Sequence, residues 1–418
     1  MPKPRREQDT REKQLTRFET RAVHAGERRT YLATDGKPDG SLYPISTPVY
    51  LSTTFAHEDI EQTDKVLGGE EPGYSYTRYG NPTVAAFEEA VAALEGRGRA
   101  FAFASGMAAM HAALLAELTS GATVLAAEQL FGSTSSLLVQ VFGASGVEVR
   151  FVDACDLAAV EKKIEELTPR AVVVETISNP LLRVADVPRI AELARVAGST
   201  SIVDATFCTP YLQRPLELGA DIVVHSATKY LSGHGDLTGG VVVTGTPYDE
   251  ALDQIRKLVG GLMAPFEAWL ALRGVKTLPL RMGRQCENAG EIATRLAAHP
   301  KVEKVYYPGS KDHPDNEVAR RTLVGAGGLV SFELDTRVPD GGREEAFRFL
   351  NALKLCVKVP SLGDIYTLAI HPATTSHREL SPSRRARLGV KENLIRISLG
   401  IEHPDDIIED IEQALEKV

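Results

Sequence analysis

Short apolar runs recur through the middle of the chain, separated by stretches in which apolar residues return every three or four positions. The runs Val124–Ala127, Val147–Val152, Ala171–Glu175, Ser201–Asp204, Asp221–His225 and Gly240–Thr244 read as buried strands. Between them, Leu157–Leu167 and Val187–Val196 have helical spacing, and each precedes a strand. From Thr83 to about Gly245 this alternation predicts an α/β fold, a mostly parallel sheet covered by crossover helices. A further run, Phe101–Ala104, leads into a helix through His111 and Leu115. After about Gly274 the rhythm changes to a long helix, the strand Gly328–Glu333, the helix Arg343–Leu353 and an amphipathic end at Pro404–Leu415. That predicts a smaller α+β domain. Arg28–Gly73 is rich in Gly, Pro, Thr and Asp and has little periodicity, so it predicts an extended arm that needs a partner surface. The expected division is an arm (1–81), a large domain (82–274) and a C-terminal domain (275–418).

Composition narrows the partners. Against 47 Lys and Arg stand 56 Asp and Glu, a formal charge of −9. No basic face is implied, so a small-molecule substrate is expected and nucleic acid is not. Cys155, Cys208, Cys286 and Cys356 lie far apart with no C-x-x-C pair, which fits neither a zinc site nor a disulfide framework and suits a reducing cytoplasm. Met1–Arg17 is charged and lacks the apolar core of a signal peptide, so it reads as a leader. The most apolar window, Ala100–Leu118, is interrupted by Ser105, Gly106, His111 and Glu117, so no membrane span is expected.

Three places carry candidate chemistry. Lys229 follows the buried strand Asp221–His225 within His225-Ser226-Ala227-Thr228-Lys229. A lone lysine is ordinarily a surface residue, but the carboxyl end of a parallel strand is where α/β folds bind ligands. Hydroxyls at Ser226 and Thr228 suit a phosphate held beside an amine able to form an imine. Asp204 closes the apolar run Ser201-Ile202-Val203 and there needs a cationic partner, either a protonated pyridine nitrogen or a structural counter-ion. Ser105-Gly106-Met107 opens a helix whose N-terminus offers free N–H groups to phosphate, although a plain strand-to-helix turn has the same pattern.

Eight segments, in order, resemble the Cys/Met-metabolism (transsulfuration) family of fold-type I, aspartate-aminotransferase-like enzymes that use pyridoxal 5'-phosphate. They are Tyr76-Thr77-Arg78-Tyr79-Gly80-Asn81-Pro82-Thr83, Ser105-Gly106-Met107-Ala108, Glu175-Thr176-Ile177-Ser178-Asn179-Pro180, Val203-Asp204-Ala205-Thr206-Phe207, Ser226-Ala227-Thr228-Lys229, Ser361-Leu362-Gly363-Asp364, His371-Pro372-Ala373 and Arg396-Ile397-Ser398-Leu399-Gly400. The resemblance spans nearly the whole chain and makes 82–274 the cofactor-binding domain. It implies that Lys229 carries the cofactor as a Schiff base and moves protons, that Asp204 pairs with the pyridine nitrogen, and that Asn179 donates to the phenolic oxygen. Gly106, Met107, Ser226 and Thr228 resemble the family's phosphate cradle, and Thr206 joins the cofactor-binding set. Tyr76 and Arg78 resemble residues that reach the phosphate of a neighbouring subunit, with Tyr76 also in the catalytic set. Arg396 resembles the clamp on the substrate α-carboxylate, and Ser361 the residue that orients lysine and substrate. A homotetramer built from dimers with shared active sites is implied, with no metal.

Two departures bear on the reaction. Phe131 stands where most members carry a tyrosine stacked on the cofactor ring, so the stacking surface remains and the hydroxyl is lost. Pro360 stands where related cystathionine enzymes often have glutamate, which disfavours cystathionine. Ala205 replaces a common asparagine, and the insert Arg28–Gly40 is expected to reshape the entrance, though its sequence names no ligand. The expected activity is γ-elimination, a carbon–sulfur lyase acting on methionine or homocysteine. γ-Replacement, by an O-acylhomoserine sulfhydrylase or a cystathionine γ-synthase-type enzyme, is the alternative, and a non-catalytic cofactor-binding protein the remote one.

Overall fold

The computed structural model describes residues 17–26, 44–245, 247–335 and 342–418. The leader before Arg17 and the insert Arg28–Gly40 lie outside the described residues. A seven-stranded sheet is formed by β1 (Arg99–Phe103), β2 (Thr123–Ala127), β3 (Glu148–Val152), β4 (Ala171–Glu175), β5 (Thr200–Asp204), β6 (Ile222–Ser226) and β7 (Gly240–Thr244). Its order is β1-β7-β6-β5-β4-β2-β3, and only β7 runs against its neighbours. β4 and β7 are buried along their whole length because helices cover both sheet faces, and consecutive valines are tolerated only under such cover. The crossover helices Leu157–Leu167 and Val187–Val196 stand where their spacing predicts.

The arm differs from expectation. Ile60–Leu67 is a helix, started by Asp59, whose carboxylate accepts the Gln62 N–H at 2.7 Å. None of its residues is buried, and with eight residues it is a short helix set among stretches rich in Gly, Pro, Thr and Asp.

The second domain holds five strands where one was expected: β8 (Val302–Tyr306), β9 (Leu329–Leu334), β10 (Val357–Lys358), β11 (Leu368–Ile370) and β12 (Leu394–Ser398), in the order β10-β11-β12-β9-β8. Side chains alternate between the two faces along β12. Ile395 and Ile397 enter the core shared with the helices Leu278–Ala297, Arg343–Ala352 and Pro404–Leu415. Arg396, between them, therefore faces the other way, toward the large domain. Among the described residues no helix is long and apolar enough to cross a membrane, and no three metal-binding side chains cluster.

Candidate active site

Glu175, Asp204 and Ser226 are the last residues of β4, β5 and β6, so three polar side chains stand at the carboxyl edge of the sheet. Glu175 and Asp204 are in register. Hydrogen bonds join the strand ends: Thr206 donates its N–H to Asp204 Oδ1 at 2.9 Å, and Ser226 donates its N–H to Thr206 Oγ1 at 2.8 Å. Burial pushes the Asp204 carboxyl upward, against Thr206 and the nearby His225, so this carboxylate profits from an added cation.

Across from Ser226 the helix Gly106–Leu115 begins, capped by Ser105, whose hydroxyl accepts the Ala108 N–H at 3.1 Å. A Cβ on Gly106 would lie 2.8 Å from Ser226 Cβ and 2.9 Å from its hydroxyl oxygen. Only glycine permits that approach. It brings the first-turn amides of Gly106 and Met107, which have no helical acceptor, beside a hydroxyl, an arrangement that could hold an anion. Thr228, on the same turn as Lys229, bonds the Gly239 backbone in both directions, donating at 3.2 Å and accepting at 2.9 Å.

Lys229 occupies an irregular turn (φ −92°, ψ −130°) and donates from Nζ to Ser361 Oγ at 3.1 Å. Burial first, then the charge of Arg396, holds its pKa below the usual lysine value, favouring the neutral amine. The Ser361 turn is seated on the lysine's own backbone. Gly363 has φ +78°, and a Cβ there would stand 2.6 Å from the Tyr230 nitrogen.

Arg396 spans the two domains. Nη1 donates to Asn179 Oδ1 at 2.7 Å and Nη2 to the Ser361 carbonyl at 2.8 Å, while Nε, also buried, has no partner. Burial pushes its pKa down to about 10, and among the described residues it forms no ion pair. A buried guanidinium with neutral partners and a spare donor is chemically able to take up a carboxylate. The Asn179 segment is stitched to the second domain by Ser331, which donates to the Pro180 carbonyl at 2.6 Å, and by the Arg183–Asp315 pair at 2.6 Å.

Among the residues singled out in the sequence, Lys229, Ser361, Arg396 and Asn179 thus form one bonded cluster, and Asp204, Thr206 and Ser226 another, with Gly106 packed against Ser226. Phe131 is 38 % exposed, with its backbone N–H given to Glu175 Oε1. Tyr76 and Arg78 are placed otherwise. The Arg78 guanidinium lies 5.4 Å from the Tyr76 ring centroid and 5.0 Å from that of Tyr79, and it donates to the Lys257 carbonyl. Sequence reasoning missed Glu175 and His377. Glu175 was visible as the polar residue ending β4, beside Asp204. His377, 3 % exposed, bonds the Asn179 backbone near Arg396, and burial pushes its pKa down to about 4. No local pattern marks it.

A family model described as Cys/Met metabolism PLP-dependent enzyme matches residues 19–416. The chain is 42% identical to an L-methionine gamma-lyase of Pseudomonas putida, covering 96% of this chain and 98% of that protein. It is also 42% identical to an O-succinylhomoserine sulfhydrylase of Pseudomonas aeruginosa, with 95% of each covered. The crystal structure of cystathionine gamma-lyase from Lactobacillus plantarum complexed with L-serine superposes with a TM-score of 0.87 at 38% identity, covering 96% of this chain and 99% of that one.

Proposed function

Because the chain belongs to the Cys/Met metabolism PLP-dependent enzyme family, we propose that it is a carbon–sulfur lyase that removes the γ-substituent of methionine- or homocysteine-type amino acids. The observation that carries the reading is Arg396: a buried cation with an unpartnered Nε, joined through Ser361 to Lys229 Nζ. An α-amino acid bound by its carboxylate at Arg396 would bring its α-carbon toward that amine.

The residues present fit the cofactor. Asp204 would hold the pyridine nitrogen, whose charge relieves the cost of its burial. Gly106, Met107, Ser226 and Thr228 would hold the phosphate, with Thr206 beside the ring and Phe131 across its face. Asn179 would meet the phenolic oxygen. When bound, pyridoxal phosphate withdraws electrons from the substrate so that its α- and β-hydrogens become acidic and a γ-substituent can leave. The chain does the rest. Lys229 Nζ, anchored on Ser361 and disposed to be neutral, takes and returns protons on one side of the substrate. Arg396 and Asn179, already bonded, fix the carboxylate end so that the Cα–H bond points at the amine.

Tyr76 and Arg78 are assigned to a neighbouring subunit's site, in a dimer that pairs again into a tetramer. The exposure of Tyr76 supports this, as does that of Leu258, next to the Lys257 carbonyl to which the half-buried Arg78 donates. Phe131 favours a second reading, replacement on an O-acylhomoserine. A carboxylate leaving group needs less protonation than a thiolate, so the missing hydroxyl matters less there. The test is a panel of methionine, homocysteine, cystathionine, cysteine and O-acylhomoserines, with and without sulfide. Release of α-ketobutyrate from methionine at the highest kcat/KM is expected. Turnover confined to O-acylhomoserine with sulfide would reject the lyase.

A further inference from the structure

Glu175 has no role in the assignments above, yet it ends β4 in register with Asp204 and is almost fully buried. Its Oε1 accepts the backbone N–H of Phe131, the residue that caps the helix Gly132–Ser136. The strand end thereby grips the loop after β2 at Phe131, whose side chain is left largely uncovered at 38 % exposure. We propose that Glu175 is a positioning residue, fixing the Phe131 ring over the cofactor plane through this carboxyl-to-amide hydrogen bond. The inference rests on the assignment of Phe131 to the cofactor's face.

The geometry explains why a carboxyl suits the place. A phenylalanine side chain has two torsions, and with its backbone pinned only those two remain to set the ring's tilt. Gly132, next in the chain, lies against the Ser376 carbonyl, which would be 3.7 Å from a Cβ there, an ordinary van der Waals contact. The loop is therefore held from two sides, and Glu175 supplies the polar hold. Two carboxylates cannot both stay ionised at adjacent strand ends without cost. Burial, then Asp204, pushes Glu175 well above the ordinary glutamate range. Glu175 is thus disposed toward its neutral form, which still accepts through its carbonyl oxygen. Glutamine has the same reach, the same acceptor and no charge.

The holoenzyme is compared with Glu175→Leu and Glu175→Gln. The readouts are circular dichroism in the cofactor's visible band, which reports ring orientation, and separate kcat and KM values. Borohydride reduction followed by peptide mapping shows whether the cofactor is attached to Lys229. Glu175→Leu is expected to lower the visible dichroism and to reduce kcat on the order of tenfold, the worth of one buried hydrogen bond, with KM changed less. Glu175→Gln should restore most of both. In a Phe131→Leu background, Glu175→Leu should cost little more, because the ring it positions is gone. Unchanged dichroism and kcat in Glu175→Leu would overturn the inference, as would equal loss in Gln and Leu. Full additivity with Phe131→Leu would do the same. Failure to trap cofactor on Lys229 in the wild-type protein would instead overturn the functional reading beneath it.

Discussion

Around Lys229, polar side chains are bonded to one another inside a single chain: Nζ to Ser361, Arg396 to Asn179 and the Ser361 carbonyl, Thr206 to both Asp204 and Ser226. Around Tyr76, rings and a guanidinium are stacked on the outside, with Tyr76 38 % and Tyr79 43 % exposed and Leu258 nearby at 80 %. The first region is organised before any ligand arrives, because its positions are set by strand ends and by a second domain that cannot shift without breaking several bonds. The second presents a cation and two aromatic rings to whatever covers it. One chain thus organises the first region within itself and leaves the second exposed on its outer side, and breaking either region should have a different signature.

The largest effect is expected at Lys229. Lys229→Ala removes both the amine and the proton carrier and should lower turnover by at least about 10³-fold. Arg78→Ala should also be inactive, through loss of an outer contact. If the two regions meet across a subunit boundary, mixing these two inactive proteins restores activity, because each mixed dimer contains one site with both residues intact. Random exchange predicts recovery of about a quarter of the wild-type sites. No recovery despite verified exchange would mean that both residues serve the same chain's site.

Next comes Arg396→Lys, which tests whether the inner region is a geometric receptor or only a positive charge. Lysine keeps the charge but cannot bond Asn179, the Ser361 carbonyl and a carboxylate at once, so kcat/KM should fall roughly 10²-fold, mainly through KM. A change under a few-fold would show that charge alone suffices.

How much of this was legible depends on where the information lies. β4 and β7 stand at the residues their apolar runs predict, and Lys229 and Asp204 stood out because each follows or ends such a run. The short strands β8, β10, β11 and β12 were not seen. β12 is no shorter than β4 or β7, but it carries an arginine at its centre, which breaks the apolar signal. The bond between Arg396 and Asn179 joins residues 217 positions apart, a pairing no local pattern encodes. Glu175 lay inside a quoted motif, but its partnership with Phe131 required the register of β4 and β5.

The organised region should also carry an acid liability. The His377 ring is pushed down to about 4, by burial foremost and then by Arg396, whereas in the unfolded chain it titrates near 6.5. Between those values the unfolded chain binds the extra proton, so stability is complete above about pH 6.5 and is lost as pH falls toward 4. His313 and His371 are also lowered and add to the same window. His377→Gln should flatten the dependence, removing about 2 kcal/mol of the difference between pH 7.5 and pH 5 in denaturant unfolding. An unchanged slope would show that His377 is not buried as a neutral ring.

The smallest effect is expected at Phe131, whose backbone is held by Glu175 while the residue stays 38 % exposed. Phe131→Tyr keeps the stacking surface and adds a hydroxyl at the rim, where a proton can reach a departing sulfur. Thioether elimination should therefore rise a few-fold relative to use of an ester-activated homoserine, because thiolate is the leaving group that gains most from protonation. The measured quantity is the ratio of the two kcat/KM values, in which shared changes in cofactor binding cancel. A higher ratio would mean that the chain's missing hydroxyl had limited thioether cleavage. An unchanged ratio would place the leaving-group proton elsewhere. Tyr76 of a neighbouring subunit would then be the residue to replace next, and the outer region would hold a catalytic group as well as a wall.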